Sequence, residues 1–227
     1  MARLARVVLP GLPHFVSQRG SGGARVFFGD DDYALYRDLL AEQCEAADVR
    51  IWAWCLLPSQ VHLILVPKDA DGLRQALSQV HRSYAGFIHA RRKRTGQFWQ
   101  GRFGAVAMDE DYLAAALRYV ALGPVRARLV KRARDWRWAS TRAQLSGRAD
   151  GLTALAPVRA RFSDFADLLA LGPDEEAFKR LRQAATVGRP LGDDRFMKNL
   201  ERITKRVLRP AKRGPKPKGK RGRTKAR

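Results

Sequence analysis

Apolar and polar positions alternate with a period of two in three stretches of this chain and recur with helical spacing in several others. The run His14-Phe15-Val16-Ser17-Gln18-Arg19-Gly20 reads as a first strand, closed by Ser21-Gly22-Gly23. Asp30, Asp31 and Asp32 suit the N-cap and negative first turn of a helix to about Ala47, striped by Leu35, Leu39, Leu40 and Ala46-Ala47. Residues 50–57 alternate again as a second strand, and 61–66 form a third after a tight turn. Pro58 and Pro67 sit where a strand begins or ends without losing a ladder hydrogen bond. Asp69 or Asp71 opens a long helix to about Arg94, with Leu73, Leu77, Val80, Tyr84 and Phe87-Ile88 on one stripe and Thr95-Gly96 as its stop. Gln97 to Met108, carrying Phe98, Trp99 and Phe103, reads as a fourth strand. Strand, helix, strand, strand, helix, strand is a split βαβ. The expected fold is α+β and ferredoxin-like: a four-stranded antiparallel sheet with helices on one face, the other face left for a ligand or further helices.

Beyond the sheet, Asp109 or Asp111 caps a helix from Tyr112 to about Leu122, ended by Gly123-Pro124. Its stripe centres on Leu113, Leu117 and Val120. Tyr119 falls on a flank about 120° away at 3.6 residues per turn, a margin where a hydroxyl stays accessible. Asp135 to Thr141 is an aromatic, basic packing segment. Short helices are expected over 162–171, 174–185 and 193–204, with no sharp helix-turn-helix pattern. The resulting division is a main domain over 1–145, a helical C-terminal region over 146–204 and a disordered basic tail over 205–227.

Charge narrows the partner. The net charge is +22 over 227 residues, a field that favours polyanions, nucleic acid first and anionic membrane second. Twelve of the 44 Lys/Arg lie in residues 205–227 with no acid, which leaves 32 basic against 22 acidic residues elsewhere. Both parts are therefore basic. No apolar run is long enough to span a membrane, and the first ten residues lack the apolar core of a secretion signal. The two cysteines, Cys44 and Cys55, have no metal-ligand spacing and fit a reducing cytoplasm. In the tail, Arg213-Gly214-Pro215 and Arg221-Gly222-Arg223-Thr224 are similar to minor-groove hooks, though a generic phosphate-binding tail accounts for them as well.

The chemistry concentrates in Leu56-Leu57-Pro58-Ser59-Gln60-Val61-His62-Leu63. On a strand, Gln60 and His62 point the same way, roughly 7 Å apart. Together with Trp52-Ala53-Trp54, Phe98-Trp99-Gln100-Gly101-Arg102-Phe103 and Leu117-Arg118-Tyr119-Val120-Ala121-Leu122-Gly123-Pro124-Val125-Arg126, this run resembles the HUH single-tyrosine transposases, in the branch associated with repetitive extragenic palindromes (REP). The resemblance covers about His14 to Thr141. It implies attack by Tyr119 on a phosphodiester of single-stranded or hairpin DNA, giving a 5′-phosphotyrosine and a 3′-OH. It implies a divalent metal, Mg²⁺ or Mn²⁺, held by His62 and Gln60. Family members carry a histidine where Gln60 stands and an Asn where Gly123 stands, so the expected metal site is incomplete and its metal weakly held or absent. Two functions are consistent with this: a metal-dependent DNA nickase and strand transferase, or a domesticated hairpin-DNA-binding protein without nicking activity. The partner implied is palindromic hairpin DNA, the location the bacterial cytoplasm and nucleoid. Relatives include both monomers and homodimers. Candidate DNA contacts are Arg19, Arg91, Arg92, Lys93, Arg94, Arg102, Arg126 and, in the tail, Arg213, Arg221 and Arg223.

Overall fold

A computed structural model describes residues 6–209. Its sheet consists of β1 (His14–Arg19), β2 (Val49–Leu57), β3 (Gln60–Pro67) and β4 (Gly104–Ala107). The spatial order is β2-β3-β1-β4 with every neighbouring pair antiparallel, as the split βαβ reading requires. The crossover helices are α1 (Asp30–Ala46) and α2 (Gly72–Arg92). The acidic opening of α1 works differently from a simple N-cap. Gly29 holds the cap position, and Asp32, inside the first turn, accepts from the Phe28 N–H at 2.7 Å. The second crossover helix ends at Lys93, in the left-handed region at φ 49°, ahead of the expected Thr95-Gly96 stop.

The fourth strand is shorter than its sequence suggests. Only four residues join the ladder, because Trp99 and Phe103 turn into the core instead, with one isolated bridge between Gly20 and Trp99. Both sheet edges are covered. Leu191 donates its N–H to Ala107 and accepts from Asp109 outside β4, while Trp138 and Ser140 pair with Leu56 and Trp54 outside β2. Such covering removes the unpaired strand edges that promote aggregation.

Each sheet face carries its own core. Val16, Leu63 and Leu65 pack with Tyr36, Leu40, Leu77 and Tyr84 of α1 and α2. On the opposite face Phe15, Ile64 and Val106 meet α3 (Glu110–Ala121) and helices from the C-terminal region. Short α4 (Gly123–Arg126) and α5 (Thr141–Ser146) follow, then α6 (Leu155–Arg159), α7 (Phe165–Ala170), α8 (Glu175–Val187) and α9 (Asp194–Thr204). Phe178 and Leu181 of α8 are fully buried, each burial contributing about 2 kcal/mol. A Cβ at Gly104 would lie 2.4 Å from the Ala185 carbonyl oxygen, so glycine is what lets α8 press against β4. The face left open in the sequence reading is thus occupied by further helices.

Packed chain continues past the expected boundary at residue 204. Leu208 is fully buried beside Val7, Leu9 and Leu200, and the Glu201 carboxylate accepts from the Leu208 and Arg209 N–H groups. Arg213, Arg221 and Arg223 lie outside the described residues. No helix among the described residues is long and apolar enough to cross a membrane.

Candidate functional site

His62 lies mid-sheet on β3, flanked by its register partners Ser17 on β1 and Cys55 on β2. Tyr119 reaches the same face from α3. That helix is fixed by Asp109, which caps it by accepting from the Tyr112 N–H at 3.0 Å. Gly123-Pro124 does not end the helical run but starts α4, which swings Arg126 back over the tyrosine. The Arg126 guanidinium sits 3.8 Å above the Tyr119 ring, and its Nη2 donates to the Tyr119 carbonyl at 3.0 Å.

The imidazole and the phenol therefore meet, with ring centroids 5.1 Å apart in an edge-on arrangement. They meet under cover. His62 is 1% exposed and Tyr119 3%, so the marginal, accessible placement expected for Tyr119 is corrected. The cause is tertiary: Phe15 stands 5.3 Å from Tyr119 on the sheet side, and Phe178 of α8 stands 5.1 Å away on the other. A helical wheel of α3 alone cannot show a lid that arrives some 60 residues later.

Electrostatics at this centre disfavour a cation. Burial, then the charges of Arg126 and Arg19, push the His62 pKa down to about 3, so the ring is neutral. Both ring nitrogens are buried without a hydrogen-bond partner, as is Arg126 Nε. Orphaned nitrogens could ligate a metal, but the rest of the set is missing. The Gln60 Oε1 accepts from Arg19 Nε at 3.1 Å, burial pushes the neighbouring Cys55 thiol upward and keeps it protonated, and two guanidiniums face the ring. Gly123 looks toward this spot, since a Cβ there would lie 3.6 Å from Cys55 Sγ, yet it supplies no ligand. Among the described residues no three His, Cys, Asp or Glu side chains gather as a metal site. One neutral imidazole without a carboxylate does not fit Mg²⁺ or Mn²⁺, which seek oxygen ligands and negative charge.

The basic residues divide between two layers. Arg19 and Arg102 border a cleft beside β1 on the His62 face. Arg91 and Arg92 belong to α2, across the sheet. Arg91 is clamped by Asp32, with Nη1 at 2.5 Å and Nη2 at 2.9 Å, so its charge is locally neutralised. Arg92 stacks on Phe28 at 4.0 Å, while Lys93 and Arg94 lie exposed at the end of α2. Sequence reasoning missed Phe178. The amphipathic spacing of α8 announces a buried face but not which surface receives it.

Solved structures supply the comparison. A REP-associated tyrosine transposase bound to a REP hairpin matches with a TM-score of 0.55 and 19% identity, over 68% of this chain and 90% of that one. The chain shares that protein's fold. A candidate transposase from Deinococcus radiodurans R1 aligns more loosely, with a TM-score of 0.35 and 18% identity over 52% of this chain and 95% of the other. No family model and no curated protein matches the sequence.

Proposed function

We propose that this chain is a REP-associated transposase relative that binds hairpin DNA and keeps its tyrosine centre closed in the conformation described here. The observation that carries this reading is the pairing of Tyr119 with His62, 5.1 Å apart on the expected sheet face. Arg126 lies on the Tyr119 ring and, with Arg19, acts on His62, while Arg102 lines a cleft beside β1, within a fold shared with a hairpin-bound transposase. A net charge of +22 supplies the long-range attraction.

Strand cleavage is the second reading, favoured by the same pair. In it the Tyr119 oxygen would attack phosphorus, a P–O bond would break, and the DNA 3′ oxygen would leave with a proton. A phenol is a weak nucleophile at neutral pH and needs a stabilised phosphate. Guanidiniums are the groups here that could stabilise it, and the cover of Phe178 and Arg126 stands in the way of DNA. Binding without cleavage therefore fits the geometry better.

A gel-shift and denaturing-gel assay on one hairpin oligonucleotide tests both. Retarded hairpin with no covalent protein–DNA adduct is expected. No retardation at low salt would overturn DNA binding. An adduct that disappears in Tyr119→Phe would replace the binding reading with the cleavage one.

A further inference from the structure

Gly188 ends α8 in the left-handed region at φ 82°, and Pro190, which cannot continue a helix, follows it. The chain therefore turns back, and the Leu191 N–H donates to the Ala107 carbonyl at 2.9 Å. Between the last turns of α8 and this returning segment lies a groove of about 520 Å³, walled by Ala184, Val187, Pro190 and Leu191. Arg180 and Arg189 border it, and none of its lining residues is acidic. Arg180 already donates to Glu176 and to the Tyr112 hydroxyl. Arg189 is unengaged: its Nε is buried without a partner, and its guanidinium forms no hydrogen bond or ion pair with any described residue. An apolar groove with an unpaired guanidinium calls for an apolar group beside a carboxylate.

Such a pair stands at the other end of the same helix. Leu171 is 70% exposed in the turn between α7 and α8. Glu175, exposed in the first turn of α8, has a carboxylate that no described residue pairs with. The turn is held from beneath. Arg118 donates to the Gly172 carbonyl at 3.2 Å and stands 3.8 Å from Asp174, which caps α8 by accepting from the Ala177 N–H. Ile203 and Val207 are the other described large apolar residues more than half exposed, and they flank Lys205, a charge that Arg189 would repel. About 18 Å of helix separates Glu175 from Val187, so the knob cannot reach the groove of its own chain.

We propose that Leu171 and Glu175 of one molecule dock into the Arg189 groove of the next, joining copies of this chain head to tail. Leu171 fills the apolar groove and Glu175 pairs with Arg189. The preformed turn spares the cost of ordering it on contact. The two patches differ, so each contact leaves one free knob and one free groove, and the series stays open rather than closing as a two-fold dimer. A net charge of +22 on every copy opposes assembly at long range. Salt screens that repulsion more than it screens a partly buried ion pair, so the contact shows at moderate ionic strength.

Sedimentation velocity of the full-length protein, freed of nucleic acid and held in about 0.3 M salt, tests this over a wide range of protein concentration. Wild type should grow from monomer into dimers and longer species as concentration rises. Leu171→Ser and Arg189→Glu should each weaken this at least about tenfold, the worth of a buried leucine or of a close interfacial ion pair. Mixing the two variants should restore association, because the intact Leu171 of one meets the intact Arg189 of the other, and growth should stop at two. Glu175→Arg combined with Arg189→Glu in one chain should bring back the open series. Wild type that stays monomeric throughout overturns the proposal, as does association that either single variant leaves unchanged. A mixture that fails to pair or grows past two, with both variants folded by circular dichroism, overturns it too. No DNA is present, so the outcome is independent of the DNA-binding reading.

Discussion

Phe178 closes over Tyr119 at a ring-centroid distance of 5.1 Å, and the Arg126 guanidinium lies against both rings, 3.8 Å from one centroid and 4.9 Å from the other. This stack joins α4 and α8 over the residue that would have to reach DNA. Its strength is apolar burial plus cation–π attraction, the latter about 1–2 kcal/mol when desolvated.

Truncating the cover should expose the phenol. Phe178→Ala is expected to cost about 3–5 kcal/mol of stability, the usual range for an aromatic lost from a core. In wild type, tetranitromethane should modify half-buried Tyr112 and spare Tyr119. In Phe178→Ala, at a denaturant-free temperature where far-UV circular dichroism still shows folded protein, Tyr119 should be nitrated as well. Mass spectrometry of tryptic peptides reads the outcome. A Tyr119 as reactive as Tyr112 in wild type would mean that α8 does not cover it.

Three buried histidines give the fold an acid limit. Burial is the first cause in each case, pushing His14 down to about 4 and His62 and His81 to about 3. A folded-state pKa below the unfolded value of 6.5 means that only the unfolded chain takes up the proton as pH falls below about 6.5. Stability is complete above that pH and declines toward pH 3–4, by about 2 kcal/mol per histidine at pH 5. Urea melts at pH 7.5 and 5 should show that loss, and His62→Leu should shrink it by about one third. The same variant removes two unpaired buried nitrogens, so at pH 7.5 it should be no less stable than wild type. A clear loss at pH 7.5 would mean that the ring is better satisfied than the described contacts allow.

The sheet was legible in the sequence because period-two alternation and bracketing prolines are local signals, and β1, β2 and β3 fall within a residue or so of their expected bounds. The fourth strand was overextended for a reason specific to aromatics. Trp99 suits a strand, but its indole donates to the His81 carbonyl at 3.0 Å and so belongs to the α2 core. The neighbourhood of Tyr119 and His62 was legible from strand register and motif order. Its closure was not, because that depends on where α8 docks, and docking hinges on the missing side chain at Gly104.

Gly104 is therefore the residue through which α8 can be moved without touching either ring of the centre. Gly104→Val forces a side chain into the Ala185 backbone, where even a Cβ would stand 2.4 Å from the carbonyl oxygen. Backbone cannot yield as a flexible side chain does, so α8 must shift away, at a cost of about 1–3 kcal/mol. Hydrogen exchange should show faster exchange in residues 175–187 with β1 and β3 still protected. Unchanged protection across α8 would show that the contact is looser than its geometry implies.

The donor set around His62 leads to a last expectation, about metal. With Gln60 engaged by Arg19 and no three His, Cys, Asp or Glu side chains gathered among the described residues, hairpin binding should proceed equally in EDTA and in millimolar Mg²⁺ or Mn²⁺, once ionic strength is matched. Gln60→His releases the Arg19 bond and adds a second imidazole two positions from His62 on the same strand face. Two neutral imidazoles are still a poor match for hard cations, so that variant should bind Mn²⁺ weakly by calorimetry, and wild type not measurably. Gly123→Asn added to it would direct an amide toward Cys55, at a position with ordinary backbone angles and room for a Cβ. Affinity should rise stepwise from wild type to single to double variant. Tight Mn²⁺ binding by wild type would instead show that the orphaned His62 nitrogens already belong to a metal site, and that Arg126 moves aside to admit it.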